Sequence, residues 1–424
     1  MHHQILSAPL VLAAPDQLIQ DGAVVINDSL ILAIGKRSEI LRQFPSAVEK
    51  HFDGHVLLPG FVNAHTHLEL GFLAGKIPGP AFFPEWVLKL QSSFPPQEQI
   101  PQVVSTGVCE SVRQSLRFGV TTVGDITRRH QPCRSALQNV PSHVVSFGEV
   151  MALGRLRDQL DARFAAAVDD ATSSDRLTIG VSPHAPYSVE GPALKKIAAL
   201  AEKRRLPLAM HLAEHSEESQ FLADLSGPLG REWELMRQLD LLDDKIPLFN
   251  GSPIQWAKHY GLLDITVPVI LAHVNYTSDD DLALLSRPNV SVAYCPRTRR
   301  YFGHDSHSAH RWPDMLSRGI NVCLATDSLA SNPDLSVLRE AQFVYQNYRD
   351  SNLADLYAMI TTRPSAALGL ADHVGRLSPG FYADIQAVPI DSSAEKITDV
   401  LEVLISEAPL PSALWINGVQ VKIP

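Results

Sequence analysis

Short apolar runs alternate with longer amphipathic stretches along most of the chain. Apolar, β-branched runs fall at 61–65, 120–124, 144–147, 177–181, 208–212, 267–273, 290–294 and 322–325. Each is brief and bounded by polar or turn-forming residues, the pattern of a strand buried on both faces. Between them, 103–118, 191–204, 230–239 and 279–285 carry apolar residues at helical spacing and predict helices. Eight strands interleaved with helices predict an α/β fold, a (β/α)8 TIM barrel with its chemistry at the C-terminal strand ends. A doubly wound open sheet is the alternative. No GxGxxG opens a helix here, and the strand count favours closure.

The two ends of the chain follow a different pattern. Runs at 5–11, 22–26 and 29–35 predict short strands with tight turns, one of them at Asp28-Ser29, and only 38–44 reads as helix. Near the other end, 375–388 reads as a turn then a strand. Residues 413–423 read as two strands around Asn417-Gly418, a strong hairpin signal. These separated segments predict a small composite β-sandwich, residues 1–58 with 372–424, beside a barrel at 59–371.

Charge and cysteine usage narrow the classes. The chain has 424 residues, 46 acidic against 36 basic, a net charge of -10 and a pI near 5.9. No Lys/Arg-dense stripe is visible, and Arg297-Thr298-Arg299-Arg300 is short and isolated, so nucleic acid is not expected as a partner. The four cysteines form no CxxC pair and read as reduced thiols of a cytoplasmic protein. Met1-His2-His3-Gln4 puts no Lys or Arg ahead of the apolar residues 5–14, so a mature strand is expected there rather than a signal peptide. No stretch is long and apolar enough to span a membrane.

The candidate chemistry lies at the predicted strand ends. Strand one ends in His65-Thr66-His67, strand four in Ser182-Pro183-His184, and strand five carries His211 followed by Glu214. Strand six ends in His273 and strand eight in Asp327. If 61–67 is a regular strand, His65 and His67 share a face. Alone, such a pair is equally two core or surface histidines. With His211 and Asp327 it becomes three imidazoles and a carboxylate, a set suited to one divalent metal, Zn²⁺ first, with Fe²⁺ or Mn²⁺ compatible. A metal held there lowers the pKa of a bound water and supplies hydroxide near neutral pH.

Asp327 is also placed to take a proton from that water. His273 is placed to orient it or to stabilise developing charge, and Glu214 to carry a proton to a ring or leaving nitrogen. Strand four has no Lys to bridge two metals, which leaves one metal and frees His184 for the substrate. His304, His307 and His310 form a loose cluster that reads as a solvated loop, with a second metal site as the alternative.

LPGFVNAHTH, SPHAPYSV, HLAE, the AH of LAHVN, TDSLASN and the closing GRLSPGFYADI occur in this order. In these motifs the chain resembles the amidohydrolase superfamily, in its mononuclear-metal deaminase and chlorohydrolase branch. The resemblance implies His65, His67, His211 and Asp327 as metal ligands, with Glu214 and His273 as catalytic residues. It implies hydrolysis of a C–N bond in a small molecule, with ammonia as the product of a deaminase. Triazine or chlorohydrolase-type cleavage is the alternative within the branch, and a non-catalytic barrel the alternative outside it. Glu85-Trp86-Val87 resembles the segment that caps adenosine-type pockets, which puts Trp86 against a purine. Adenosylhomocysteine-type relatives carry an Arg at the end of strand three, where this chain has Glu149, so Glu149 joins Trp86 and His184 as a candidate substrate contact. HTHLEL, HLAEHSEE and TDSLASNPDLS look closer to aminodeoxyfutalosine deaminase-like proteins. Homodimers are common among such relatives and are an expectation here.

Overall fold

The computed structural model describes residues 3–348, 350–390 and 396–424. Met1 and His2, read above as the start of the chain, lie outside them. Eight parallel strands, Phe61–Thr66, Val120–Thr127, His143–Val150, Leu177–Pro183, Leu208–Leu212, Val269–His273, Val290–Tyr294 and Asn321–Leu324, pair in chain order. They make a nearly closed barrel. Its seam is bridged by one side-chain and one backbone hydrogen bond: Asn63 Nδ2 donates to Thr326 Oγ1 at 2.7 Å, and Asp327 N donates to the His65 carbonyl at 3.1 Å. All eight expected strands are present within a few residues of the expected bounds.

The packing explains why these strands were legible. In the fifth strand Leu208, Met210 and Leu212 join the large core between strands and helices, where Leu194, Ile197 and Ala198 of helix Gly191–Arg204 also lie. The alternate residue Ala209 belongs to a separate cluster with Ala64, Ile270 and Ala293, and His211 follows on its face. Both faces of the strand are therefore apolar until the histidine.

One helix is shorter than expected. Residues 230–239 contain only Glu234–Gln238. The preceding residues form turns that bury Leu229 and Trp233 among Tyr187, Phe221 and Leu225. That tertiary burial outweighs the local helical spacing.

The chain ends combine in one mixed eight-stranded sheet. Its path runs Val419–Val421, Ala413–Ile416, Ile385–Pro389, His55–Pro59, Gln4–Ala14, Gln17–Asn27 and Leu30–Lys36, with Val48–His51 beside the first strand. The first two strands are eleven residues each, longer than expected, because pairing continues from Ala14 to Gln17 across the turn. Asn417 and Gly418 adopt φ of 49° and 74°, the left-handed pair a two-residue hairpin requires. Trp415, Leu57, Ile385 and Val24 fill one face of the sheet. Gly60 N donates to the Asp384 carbonyl at 2.9 Å where the chain passes into the barrel. No helix among the described residues is long and apolar enough to cross a membrane.

Candidate active site

Three imidazoles from two barrel strands meet at the barrel mouth. His65 lies in the first strand, and His67 follows it at φ -127°, ψ 83°, just before the helical turn Leu68–Leu73. The pairing of the first strand with the second is irregular in register between Asn63 and Thr66. The His67 and His211 Nε2 atoms are 3.1 Å apart, with stacked rings. The His65 ring centroid lies 5.1 Å from each of them. One ring nitrogen from each of the three falls within 4.8 Å of the others, the one such group among the described residues.

The chemistry of this donor set fits a divalent cation. Neither nitrogen of the buried His65 has a hydrogen-bond partner among the described residues. Burial, and then the mutual repulsion of the imidazoles, holds His65 and His67 well below the ordinary histidine range and lowers His211 also. Neutral imidazole is the form that binds metal. His211 Nδ1 lies 3.0 Å from the His184 carbonyl, so Nδ1 carries the hydrogen and Nε2 is left as an acceptor. Asp327 Oδ1 stands 3.8 Å from His65 Nε2 and 3.6 Å from His67 Nε2. Its Oδ2 accepts from Ser331 Oγ at 2.7 Å. Burial, with Glu214 next, pushes the Asp327 carboxyl up to about 7.

Glu214 and His273 adjoin this cluster. Glu214 Oε1 is 3.6 Å from His273 Nε2, and its Oε2 is 3.5 Å from His215 Nε2. Burial pushes the Glu214 carboxyl up to about 7, against the pull of His211. The backbone here is held in uncommon conformations. Ala213, His273, Val274 and Asp327 all have positive φ, at 51°, 72°, 49° and 58°. Each costs about 1 kcal/mol or more in a residue with a Cβ, and persists where surrounding bonds hold it.

Two such holds were not foreseen. Glu218, four residues after Glu214, is fully buried. Its carboxyl accepts from Ala213 N, Glu214 N and His215 N at 2.8, 2.7 and 3.0 Å. Burial nonetheless pushes it up to about 8. His310 is also buried rather than on a solvated loop, and its Nε2 donates to the His273 carbonyl at 3.0 Å. His304 is buried against His215 and bonded to the Tyr276 hydroxyl at 3.0 Å, leaving only His307 of that cluster exposed. The three do not converge as a second metal group. The available signal was the spacing of Glu218 four residues after Glu214, which sequence alone does not separate from a surface run.

A cavity of about 570 Å³ opens over the cluster, lined by His67, His211, Glu214, His273 and Asp327 at one part. Phe83, Trp86, Tyr187, Trp233 and Phe302 give it an aromatic wall. Trp86 sits in helix Phe83–Ser92 and is fixed by an Nε1 hydrogen bond to the Ala330 carbonyl at 3.2 Å and an edge contact with Phe302. Glu149 and His184 also line it. His184 Nε2 is 3.9 Å from Glu149 Oε2, and its Nδ1 is 2.6 Å from Ser188 Oγ. Burial lowers His184 to about 3, so it is neutral at physiological pH.

Comparison with known proteins follows the same pattern. The amidohydrolase family profile matches residues 56–418. The chain belongs to the amidohydrolase family. This amidohydrolase is 29% identical over 346 residues to an aminodeoxyfutalosine deaminase of Deinococcus radiodurans, covering 77% of this chain and 76% of that one. It is 25% identical to a 5-methylthioadenosine/S-adenosylhomocysteine deaminase of Pelotomaculum thermopropionicum, covering 89% and 82% of the two chains. Its fold matches the crystal structure of Helicobacter pylori aminofutalosine deaminase in complex with methylthio-coformycin, with a TM-score of 0.82, 23% identity and coverage of 99% and 100%.

Proposed function

We propose that this chain is a metal-dependent aminohydrolase that replaces the exocyclic amine of an aminopurine nucleoside with a carbonyl oxygen and releases ammonia. The carrying observation is the set of three neutral imidazoles, two of them facing at 3.1 Å, beside a buried carboxyl that is not a member of the set. His65, His67, His211 and Asp327 would hold one divalent ion, zinc by the preference of a nitrogen-rich set. When bound, that ion supplies Lewis acidity, which makes water a competent nucleophile at neutral pH.

The chain's own residues do the rest. Glu214, with its carboxyl near 7, gives a proton from Oε1 or Oε2 to the purine ring nitrogen and is reprotonated by the hydroxyl on the attacked carbon as the carbonyl forms. His273, within 3.6 Å of Glu214, orients the carboxyl and faces the attacked carbon. Asp327 accepts the proton released by water and passes it to the departing amine, which leaves as ammonia. Trp86 and the surrounding aromatic rings give the base an apolar wall, and Glu149 and His184 offer polar contacts to the sugar side. The deaminase names of the relatives support the same reading.

The test is ammonia release by zinc-loaded protein across adenosine, 5-methylthioadenosine, S-adenosylhomocysteine and aminodeoxyfutalosine. Turnover of at least one is expected. Inactivity on all of them overturns the reading.

A further inference from the structure

The residue after Glu214 is not used by the chemistry above. His215 is buried, and burial lowers its ring to about 3, so it is neutral near pH 7. Its Nε2 is buried without a hydrogen-bond partner among the described residues. The Glu214 Oε2 atom stands 3.5 Å from it. His304, with its ring centroid 5.0 Å from that of His215, does not satisfy it. The His304 Nδ1 is 3.0 Å from the Tyr276 hydroxyl, and its Nε2 is also without a partner among the described residues. A ring nitrogen buried unpaired costs free energy that a phenyl ring of similar shape would not.

The backbone of Glu214 is already fixed. Its N–H donates to Glu218 at 2.7 Å, and its carbonyl accepts from Asn275 Nδ2 at 3.1 Å. What remains to be set is the direction of its side chain. Oε1 lies on the His273 side, 3.6 Å from Nε2, and Oε2 on the His215 side. The His215 ring is held in turn by the cavity wall. Phe83 packs against it with ring centroids 4.0 Å apart. Phe83 also meets Trp86, Tyr187, Trp233 and Phe302, at 6.0, 5.9, 6.4 and 5.7 Å. It is therefore the ring through which the aromatic wall reaches His215. Phe83 lines the cavity, so a base seated against that wall touches the ring that packs on His215.

We propose that His215 is a positioning residue for Glu214. Its Nε2–H holds Oε2 and leaves Oε1 to give the proton. Phe83 holds the His215 ring, so the wall that takes the base also aims the acid. This rests on the aminohydrolase reading. No bond to His215 is made or broken in the reaction. Contacts of this kind are commonly long in an empty site and shorten as it fills.

Three variants of the zinc-loaded protein test this. His215→Phe keeps a ring and removes the nitrogen, His215→Gln restores an N–H donor, and Phe83→Leu removes the packing ring. Ammonia release is measured on the nucleoside that the wild type turns over fastest. His215→Phe is expected to lower kcat about tenfold, the loss of one hydrogen bond, with KM within about twofold and zinc retained. His215→Gln is expected to recover most of that loss. Phe83→Leu should lower kcat in the wild type and hardly at all in His215→Phe, because both changes release the same carboxyl. An unchanged kcat in His215→Phe, a loss confined to KM, loss of zinc with kcat, or equal losses in His215→Phe and His215→Gln overturns the positioning role. Additive kcat losses overturn the link through Phe83. A readout without turnover separates this inference from the aminohydrolase reading. In NMR of the chelator-stripped protein, the His215 Nε2 signal, assigned by its absence from His215→Gln, should move in Glu214→Gln. An unmoved signal overturns the contact whether or not the protein deaminates, and decides the matter should His215→Phe fail to fold. A signal that moves, with ammonia from no nucleoside, overturns the aminohydrolase reading and with it the role in proton transfer.

Discussion

Replacing Glu214 by Gln should stabilise the metal-free protein at alkaline pH while removing its activity. The carboxyl is buried, and burial raises it from 4.5 to about 7. The folded state therefore binds this proton more tightly than the unfolded chain does. The associated stability is fully present below pH 4.5 and is lost as pH rises through 7. At about 1.4 kcal/mol per pH unit, ionised Glu214 costs the fold about 3 kcal/mol at pH 8. Glutamine keeps the shape and never ionises. Unfolding a chain of 424 residues carries an entropy of about 0.9 kcal/mol/K, so the gain corresponds to roughly 3 °C in Tm. The assay is thermal unfolding of chelator-stripped wild type and Glu214→Gln at pH 5 and pH 8. The variant should melt higher at pH 8, and nearly with the wild type at pH 5. A variant no more stable at pH 8, or equally stabilised at both, refutes the argument that Glu214 is held by burial near neutrality. Reloaded with zinc, the same variant should lose about 10²- to 10⁴-fold in kcat.

Other substitutions separate positioning from chemistry. Glu218→Ala leaves three buried N–H groups without an acceptor, and should lower stability by about 3 kcal/mol or more in urea unfolding. His310→Phe leaves the His273 carbonyl and Trp312 N unpaired. Its kcat should fall while metal analysis still finds one equivalent per chain. Trp86→Ala removes an aromatic wall of the cavity, and should raise KM about tenfold, with a smaller effect on kcat in ammonia-release kinetics.

The barrel was legible in the sequence because strands such as Leu208–Leu212 are short and apolar on both faces, and His65, His211, His273 and Asp327 fell at or just past strand ends. Helix Gly191–Arg204 matched its expected bounds, with Pro192 in its first turn and Lys203 and Arg204 in its last. The approach of His65, His67, His211 and Asp327 was anticipated from those strand ends. The roles of Glu218 and His310 were not. Nothing in a run such as Glu214 to Glu218 distinguishes a solvated carboxylate from one that caps three backbone donors, because its burial depends on distant segments closing over the barrel mouth.

The most direct test is the rate of ammonia release from an aminopurine nucleoside as zinc is titrated into chelator-stripped protein. The account predicts no release without metal and a rate that rises linearly to a plateau at one zinc per chain. Release that is independent of added zinc, or none at any zinc level across the nucleoside panel, contradicts it.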